Sequence, residues 1–294
     1  MDNVLQGRSA MNDQAKHSLT RRGALQHAAI PAALFVAPQL AGASAPAIQA
    51  TKTKTFVLVH GTWHGGWVWR QVADRLQALG HRVLAPTATG CGERAHLIRP
   101  DTNLSTHVQD VCAVIEAEDA EDVILIGHSF GGLTITGVAD RLGNRIAHIA
   151  FYDAFIPTRT RPAWVMQEAD GSWPKWWKER QAHFIDGYKM NFFDHYPIKM
   201  LVPEDDTVNI ALLKRKLTWH PAGQWTEPVS FTNGGWEDRP RTYIHTTLQT
   251  FAPSSQAMWG PGREAGWRWL DVPTSRNGML THPDVLAACF ASLG

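Results

Sequence analysis

The chain has 294 residues, 44% of them of hydrophobic type, enough to bury one large core. A formal net charge of +1 excludes a surface dominated by basic charge, so neither nucleic acid nor an anionic membrane is expected as partner. Cys91, Cys112 and Cys289 are too few and too scattered for a disulfide framework or a metal site.

Residues 20–26 read TRRGALQ, which resembles a twin-arginine export signal. An apolar run follows over 28–41, broken by Pro31 and Pro38 and too short to span a bilayer as a helix. Ala43-Ser44-Ala45 then presents small residues to a signal peptidase. The expectation is a signal over 1–45 and a mature domain over 46–294, periplasmic or secreted, with no stable membrane insertion.

Residues 55–60 read TFVLVH, a buried strand stopped by Gly61. Apolar residues at helical spacing run over 67–79 and end at Gly80. A short strand is expected over 82–85, a helix over 102–117, a buried strand over 122–127 (DVILIG), a helix over 133–142 and a strand over 146–152. Alternation of apolar strands with amphipathic helices predicts an α/β protein with a mostly parallel sheet covered on both faces. Residues 157–233 break this rhythm. They are rich in Trp, Pro and charge, contain one clear helical pattern over 206–217, and are expected to form an inserted cap. Strands over 241–246 and 267–272 and a helix from Pro283 complete the pattern.

Gly127-His128-Ser129-Phe130-Gly131-Gly132 matches G-x-S-x-G between an expected strand and an expected helix. That context makes Ser129 the candidate nucleophile, lifted on a tight turn, with the helix N-terminus facing developing negative charge. His60-Gly61-Thr62 directly follows the first strand. In a fold of this kind that loop and the residue after the nucleophile each donate a backbone N–H to the oxyanion, which assigns Thr62 and Phe130. His60 and His128 are expected to hold loops by hydrogen bonds.

HGTWHGGWVW, TGCGERAHL, GHSFGG, FYDAFIP and YIHTT occur in order after residue 54. Together they resemble the α/β-hydrolase branch that includes plant methylesterases, hydroxynitrile lyases and many bacterial esterases. The resemblance implies an acid and a base beside the serine. The common acid position, after the penultimate strand, holds Leu248-Gln249-Thr250-Phe251, none of which is acidic. The alternative position, after the strand that follows the nucleophile helix, holds Asp153, as catalytic acid or as a cap of its loop. The branch's histidine stands in a segment S-H-x-x-M-L, whereas this chain reads Ser275-Arg276-Asn277-Gly278-Met279-Leu280. A guanidinium stays protonated and cannot accept the serine's proton, and beside Asp153 it is expected to form a charge pair. His282 is the substitute base in the sequence, or else a loop or helix-start residue.

Three functions follow from these residues. One is a serine esterase for apolar or aromatic esters using Ser129, Asp153 and His282, with Trp63 and Trp164 among its substrate contacts. Another is a ligand-binding member whose turnover is limited by Arg276. The third is a hydroxynitrile-lyase-like lyase, which needs the same base. Trp164, Trp173, Trp176, Trp177, Trp219, Trp225 and Trp236 are expected to line the cap side of the site. No phosphate loop, dinucleotide turn or metal-ligand spacing is present in the sequence, so no cofactor and no metal are expected.

Overall fold

A computed structural model describes residues 53–248 and 260–294, so the expected signal over 1–45 lies outside the described residues. Strands β1 (Thr55–Val59), β2 (Arg82–Leu84), β3 (Val123–His128), β4 (Ile146–Tyr152), β7 (Arg241–Thr246) and β8 (Arg268–Val272) form one sheet in the order β2-β1-β3-β4-β7-β8. Every pairing in it is parallel. All residues of β3 are buried, as a central parallel strand covered on both faces requires, and its run VILIGH has no polar alternation until His128.

Helices α1 (Arg70–Ala78), α2 (Leu104–Ala117), α3 (Gly131–Arg141) and a last helix (Pro283–Ala291) cover the sheet. Asn103 caps α2: its side chain accepts from the Thr106 N–H at 3.1 Å, and Thr106 Oγ1 accepts in return from the Asn103 N–H. The last helix begins at Pro283, whose fixed φ suits a first helical turn and whose missing N–H costs nothing there. These elements fall within a few residues of their expected positions.

Between β4 and β7, which are hydrogen-bonded neighbours, the chain leaves the sheet. The segment expected as a cap lies in this insertion. It contains α4 (Lys175–Gln181), the antiparallel pair β5 (Lys189–Met190) and β6 (His220–Pro221), α5 (Thr207–Lys216) and the single turn α6 (Gly223–Thr226). No helix of the described residues is long and apolar enough to cross a membrane.

Candidate active site

The site is built where β1, β3 and β4 end. Three non-glycine residues there have left-handed backbone: Trp63 at φ 67°, Ser129 at φ 56° and Asp153 at φ 41°. Each such residue costs about 1–3 kcal/mol, and such strain persists only where surrounding contacts impose it. The contacts are visible. The Ser129 N–H donates to the Tyr152 carbonyl at 3.3 Å, and the Ser129 carbonyl accepts from Phe155 N–H at 2.9 Å. The Asp153 N–H donates to the Ile244 carbonyl at 2.8 Å. Close packing behind the serine admits no side chain at Gly132, where a Cβ would stand 2.0 Å from the Phe155 carbonyl oxygen.

Thr62 and Phe130 are both buried, and both line a cavity of about 40 Å³ with Ser129. Among the described residues, neither the Thr62 N–H nor the Phe130 N–H donates a hydrogen bond. Two uncommitted N–H groups on either side of a serine suit an oxyanion, since they are in place before charge develops. Neutral histidines hold the loop after β1, whereas neither ring nitrogen of His128, expected to hold its own loop, has a hydrogen-bond partner among the described residues. His60 Nε2 accepts from the Ala88 N–H at 3.1 Å while its Nδ1 donates to the Gly61 carbonyl at 2.8 Å. His64 donates from Nδ1 to the Thr62 carbonyl at 2.8 Å and accepts at Nε2 from Asn277 at 2.9 Å. Burial holds His64 down at about 3 and lowers His60, and it drives His128 and His220 well below the ordinary imidazole value. None of these rings is poised to exchange a proton near neutrality.

On the other side of Ser129 stands Arg276. Its Nη1 donates to Asp153 Oδ2 at 2.5 Å, and its Nη2 donates to Ser129 Oγ at 2.6 Å. The paired side chains are 7% and 2% exposed, so each charge depends on the other for compensation. The expected Asp153–Arg276 charge pair is therefore present, and it extends to the serine. The Arg276 loop is fixed from three directions. The Tyr152 hydroxyl donates to the Arg276 carbonyl at 3.2 Å, the Asn277 N–H donates to the Leu201 carbonyl at 2.9 Å, and Asn277 holds His64.

His282 is placed elsewhere. It precedes the last helix, its Nδ1 lies 2.8 Å from Thr281 Oγ1, and it is not among the residues lining the Ser129 cavity. Of the aromatic residues expected at the site, Trp63 and Trp225 line that cavity, together with Phe192 and Tyr196. Trp164 is one layer back, packed on Phe130 and Phe155 at centroid distances of 5.3 and 5.4 Å. Trp177 stacks behind Trp225, Trp236 packs against Trp267, and Trp176 and Trp219 are exposed. The expected tryptophan lining is thus mostly packing and surface, with Phe and Tyr supplying much of the wall.

Met200 and Arg276 line both the inner cavity and an outer groove of about 390 Å³ bordered by Lys199, Glu204 and Leu248. They stand between the two spaces. A larger open groove of about 630 Å³ runs past Arg70, Asp74, Glu93 and Arg215, but Ser129, Thr62 and Phe130 do not line it. Among the described residues, no group of three or more His, Cys, Asp or Glu side chains is arranged to hold a metal ion.

A family model described as the alpha/beta hydrolase family matches residues 56–288. A carbendazim hydrolyzing esterase from a Nocardioides species is 36% identical over 245 residues, covering 81% of this chain and 99% of that protein. Methylesterase 2 of Arabidopsis thaliana is 32% identical over 218 residues, covering 69% of this chain and 81% of that protein. Among solved structures, an extracellular alpha/beta-hydrolase from a Paenibacillus species matches with a TM-score of 0.66 at 22% identity, covering 82% of this chain and 99% of that one. Tomato methylketone synthase I complexed with 2-tridecanone matches with a TM-score of 0.62 at 17% identity, covering 82% and 97%. With its parallel sheet, its serine turn after β3 and these relatives, the chain belongs to the alpha/beta hydrolase family.

Proposed function

We propose that this carboxylic ester hydrolase works through an acyl-enzyme on Ser129, on esters bearing an apolar or aromatic group. The observation that carries the proposal is the serine at a left-handed turn, flanked by two N–H groups that no described residue uses. Ser129 Oγ bonds to the ester carbonyl carbon, whose oxygen takes negative charge between the Thr62 and Phe130 N–H groups. The carbonyl re-forms as the alkoxy group departs and leaves with a proton as the alcohol. Water then cleaves the acyl-serine by the same route and releases the acid. The similarity to a carbendazim hydrolyzing esterase and to methylesterases supports ester chemistry. The aromatic walls of Trp63, Phe130, Phe192 and Trp225 support an apolar substrate group.

Proton transfer is the slow part of this scheme. Arg276 donates to Ser129 and cannot take its proton, so that proton passes to water. The inner cavity has room for only a few water molecules at about 40 Å³. An ester of any size therefore needs Arg276 or Met200 to move aside. These contacts also favour a second reading, a ligand-binding member with little turnover. A lyase reading needs the same missing base and gains nothing from Arg276.

The test is hydrolysis of a panel of aryl esters and of acetates of small alcohols by the chain, by Ser129→Ala and by Arg276→His. Turnover that vanishes with Ser129→Ala and favours aryl esters is expected. Turnover indifferent to Ser129→Ala rejects the nucleophile. A preference for the small acetates rejects the substrate class. Specific binding of the aryl esters with no turnover by the chain itself, and turnover gained in Arg276→His, favours the second reading.

A further inference from the structure

Met190, Thr218 and His220 of the insertion all hydrogen-bond Trp63, and one short stretch, residues 220–225, contacts both oxyanion loops. His220 Nδ1 accepts from the Trp63 N–H at 3.3 Å. An amide N–H only donates, so the imidazole proton sits on Nε2, which donates to Gln224 Oε1 at 2.7 Å. Gln224 Nε2 in turn donates to the Phe130 carbonyl at 3.1 Å, with Thr134 Oγ1 also within 3.4 Å. His220 and Gln224 are 1% and 2% exposed. A continuous buried link thus runs from the peptide just beyond Thr62 to the peptide just beyond Phe130. Trp225 adds to it, donating from its indole to Thr62 Oγ1 at 3.3 Å and stacking on the Phe130 ring at 4.4 Å.

We propose that His220 and Gln224 are positioning residues that brace the oxyanion hole, so that the inserted segment sets the spacing and tilt of the Thr62 and Phe130 N–H groups. The inference rests on the reading of Ser129, Thr62 and Phe130 given above. Neither residue lines the Ser129 cavity, so both act through the backbone they hold. Each end of the link grips one peptide away from a donor, and a buried polar link with all its groups satisfied is stiff. Cys91 Sγ, 3.4 Å from His220 Nδ1, adds a second contact that keeps the same tautomer. The ring stays neutral because burial opposes its protonation, so the brace does not loosen across the ordinary pH range.

The test uses an aryl trifluoromethyl ketone and the matching alcohol with the full chain. Ser129 Oγ adds to the ketone carbon, the carbonyl oxygen becomes an oxyanion, and the hydroxyl proton passes to solvent. The alcohol cannot undergo this addition and reads ground-state binding alone. In the parent chain, Ser129→Ala is expected to remove the preference for ketone over alcohol. If that preference survives Ser129→Ala, the nucleophile assignment and the brace fall together. Gln224→Met keeps volume but loses the polar contacts to His220, Phe130 and Thr134. It is expected to weaken ketone binding about tenfold, less than outright loss of an oxyanion donor, with alcohol binding unchanged. His220→Asn places an oxygen where Nδ1 accepts, so it is expected to retain more ketone affinity than His220→Leu. If Gln224→Met shifts ketone and alcohol in parallel or shifts neither, or if the two His220 variants behave alike, the brace is rejected while the Ser129 result stands.

Discussion

On one side of Ser129, two N–H groups face a small aromatic cavity, and the loop that carries one of them is held by His60 and His64, each bonded at both ring nitrogens. On the other, a guanidinium occupies the space between the serine oxygen and the Asp153 carboxylate. The first side is backbone, and its geometry follows from how tightly the loops after β1 and β3 pack. The second side is one side chain, tolerated because Asp153 neutralises it where an isolated buried charge would be costly. On the proposed reading of Ser129, Thr62 and Phe130, the contrast teaches that the oxyanion geometry and the proton chemistry of such a site are separately encoded. One can be complete while the other is altered at a single position.

Four predictions separate the two sides. In an Arg276→His background, where a base is present, Ser129→Ala is expected to lower ester hydrolysis by about a thousandfold or more, measured with enzyme concentration set by absorbance and product followed by chromatography. A smaller loss would place the chemistry elsewhere. Asp153→Asn leaves the Arg276 guanidinium buried without its counter-charge. It is expected to destabilise the chain by about 3–5 kcal/mol in denaturant unfolding, and by clearly less when Arg276→Met accompanies it. Equal losses with and without Arg276→Met would mean that the pair is not what Asp153 serves.

Arg276→His is expected to raise kcat/KM on aryl esters about a hundredfold by supplying a base. It should also change the shape of the pH profile. Burial lowers the rings around the serine, and none of them touches its oxygen, so the parent chain should show no inflection from an imidazole base. The variant should lose activity as pH falls through the new imidazole's pKa, because only the neutral ring accepts a proton. A parent that already shows such an inflection would mean that another histidine serves as base. The smallest effect is expected for His282→Ala, about twofold or less in hydrolysis. A large loss there would restore His282 as the base and remove the contrast.

Much of this could be read in the chain because its signals are local. The run VILIGH followed by glycines and a helical pattern defines the turn at Ser129 within a dozen residues. Asp153 and Arg276 are legible for the same reason, each standing at a fixed place after a strand or before the last helix. What was not legible depends on contacts distant in sequence. His220 meets Trp63 across 157 positions, and Gln224 meets Phe130 across 94, with no spacing pattern to announce either contact. The tryptophans show the same limit. A buried indole has one sequence signature whether it lines a cavity, as Trp225 does, or packs a layer behind it, as Trp177 does. His282 illustrates the reverse. Its residue type suggested chemistry, but the proline after it starts a helix and its ring is engaged by Thr281.

The contact between Arg276 and Ser129 also bears on how such a protein would be found. Fluorophosphonate reagents sort serine hydrolases by the reactivity of the hydroxyl rather than by its presence. Here the oxygen accepts a hydrogen bond from a cation at 2.6 Å, which draws down the electron density such a reagent needs. In a chemoproteomic survey, the chain should therefore label more slowly than Arg276→Met, which lacks that bond. The same bond leaves the hydroxyl's own hydrogen free to turn toward the cavity. A trifluoromethyl ketone, whose addition is reversible and read at equilibrium, would still report the serine where an irreversible probe labels slowly.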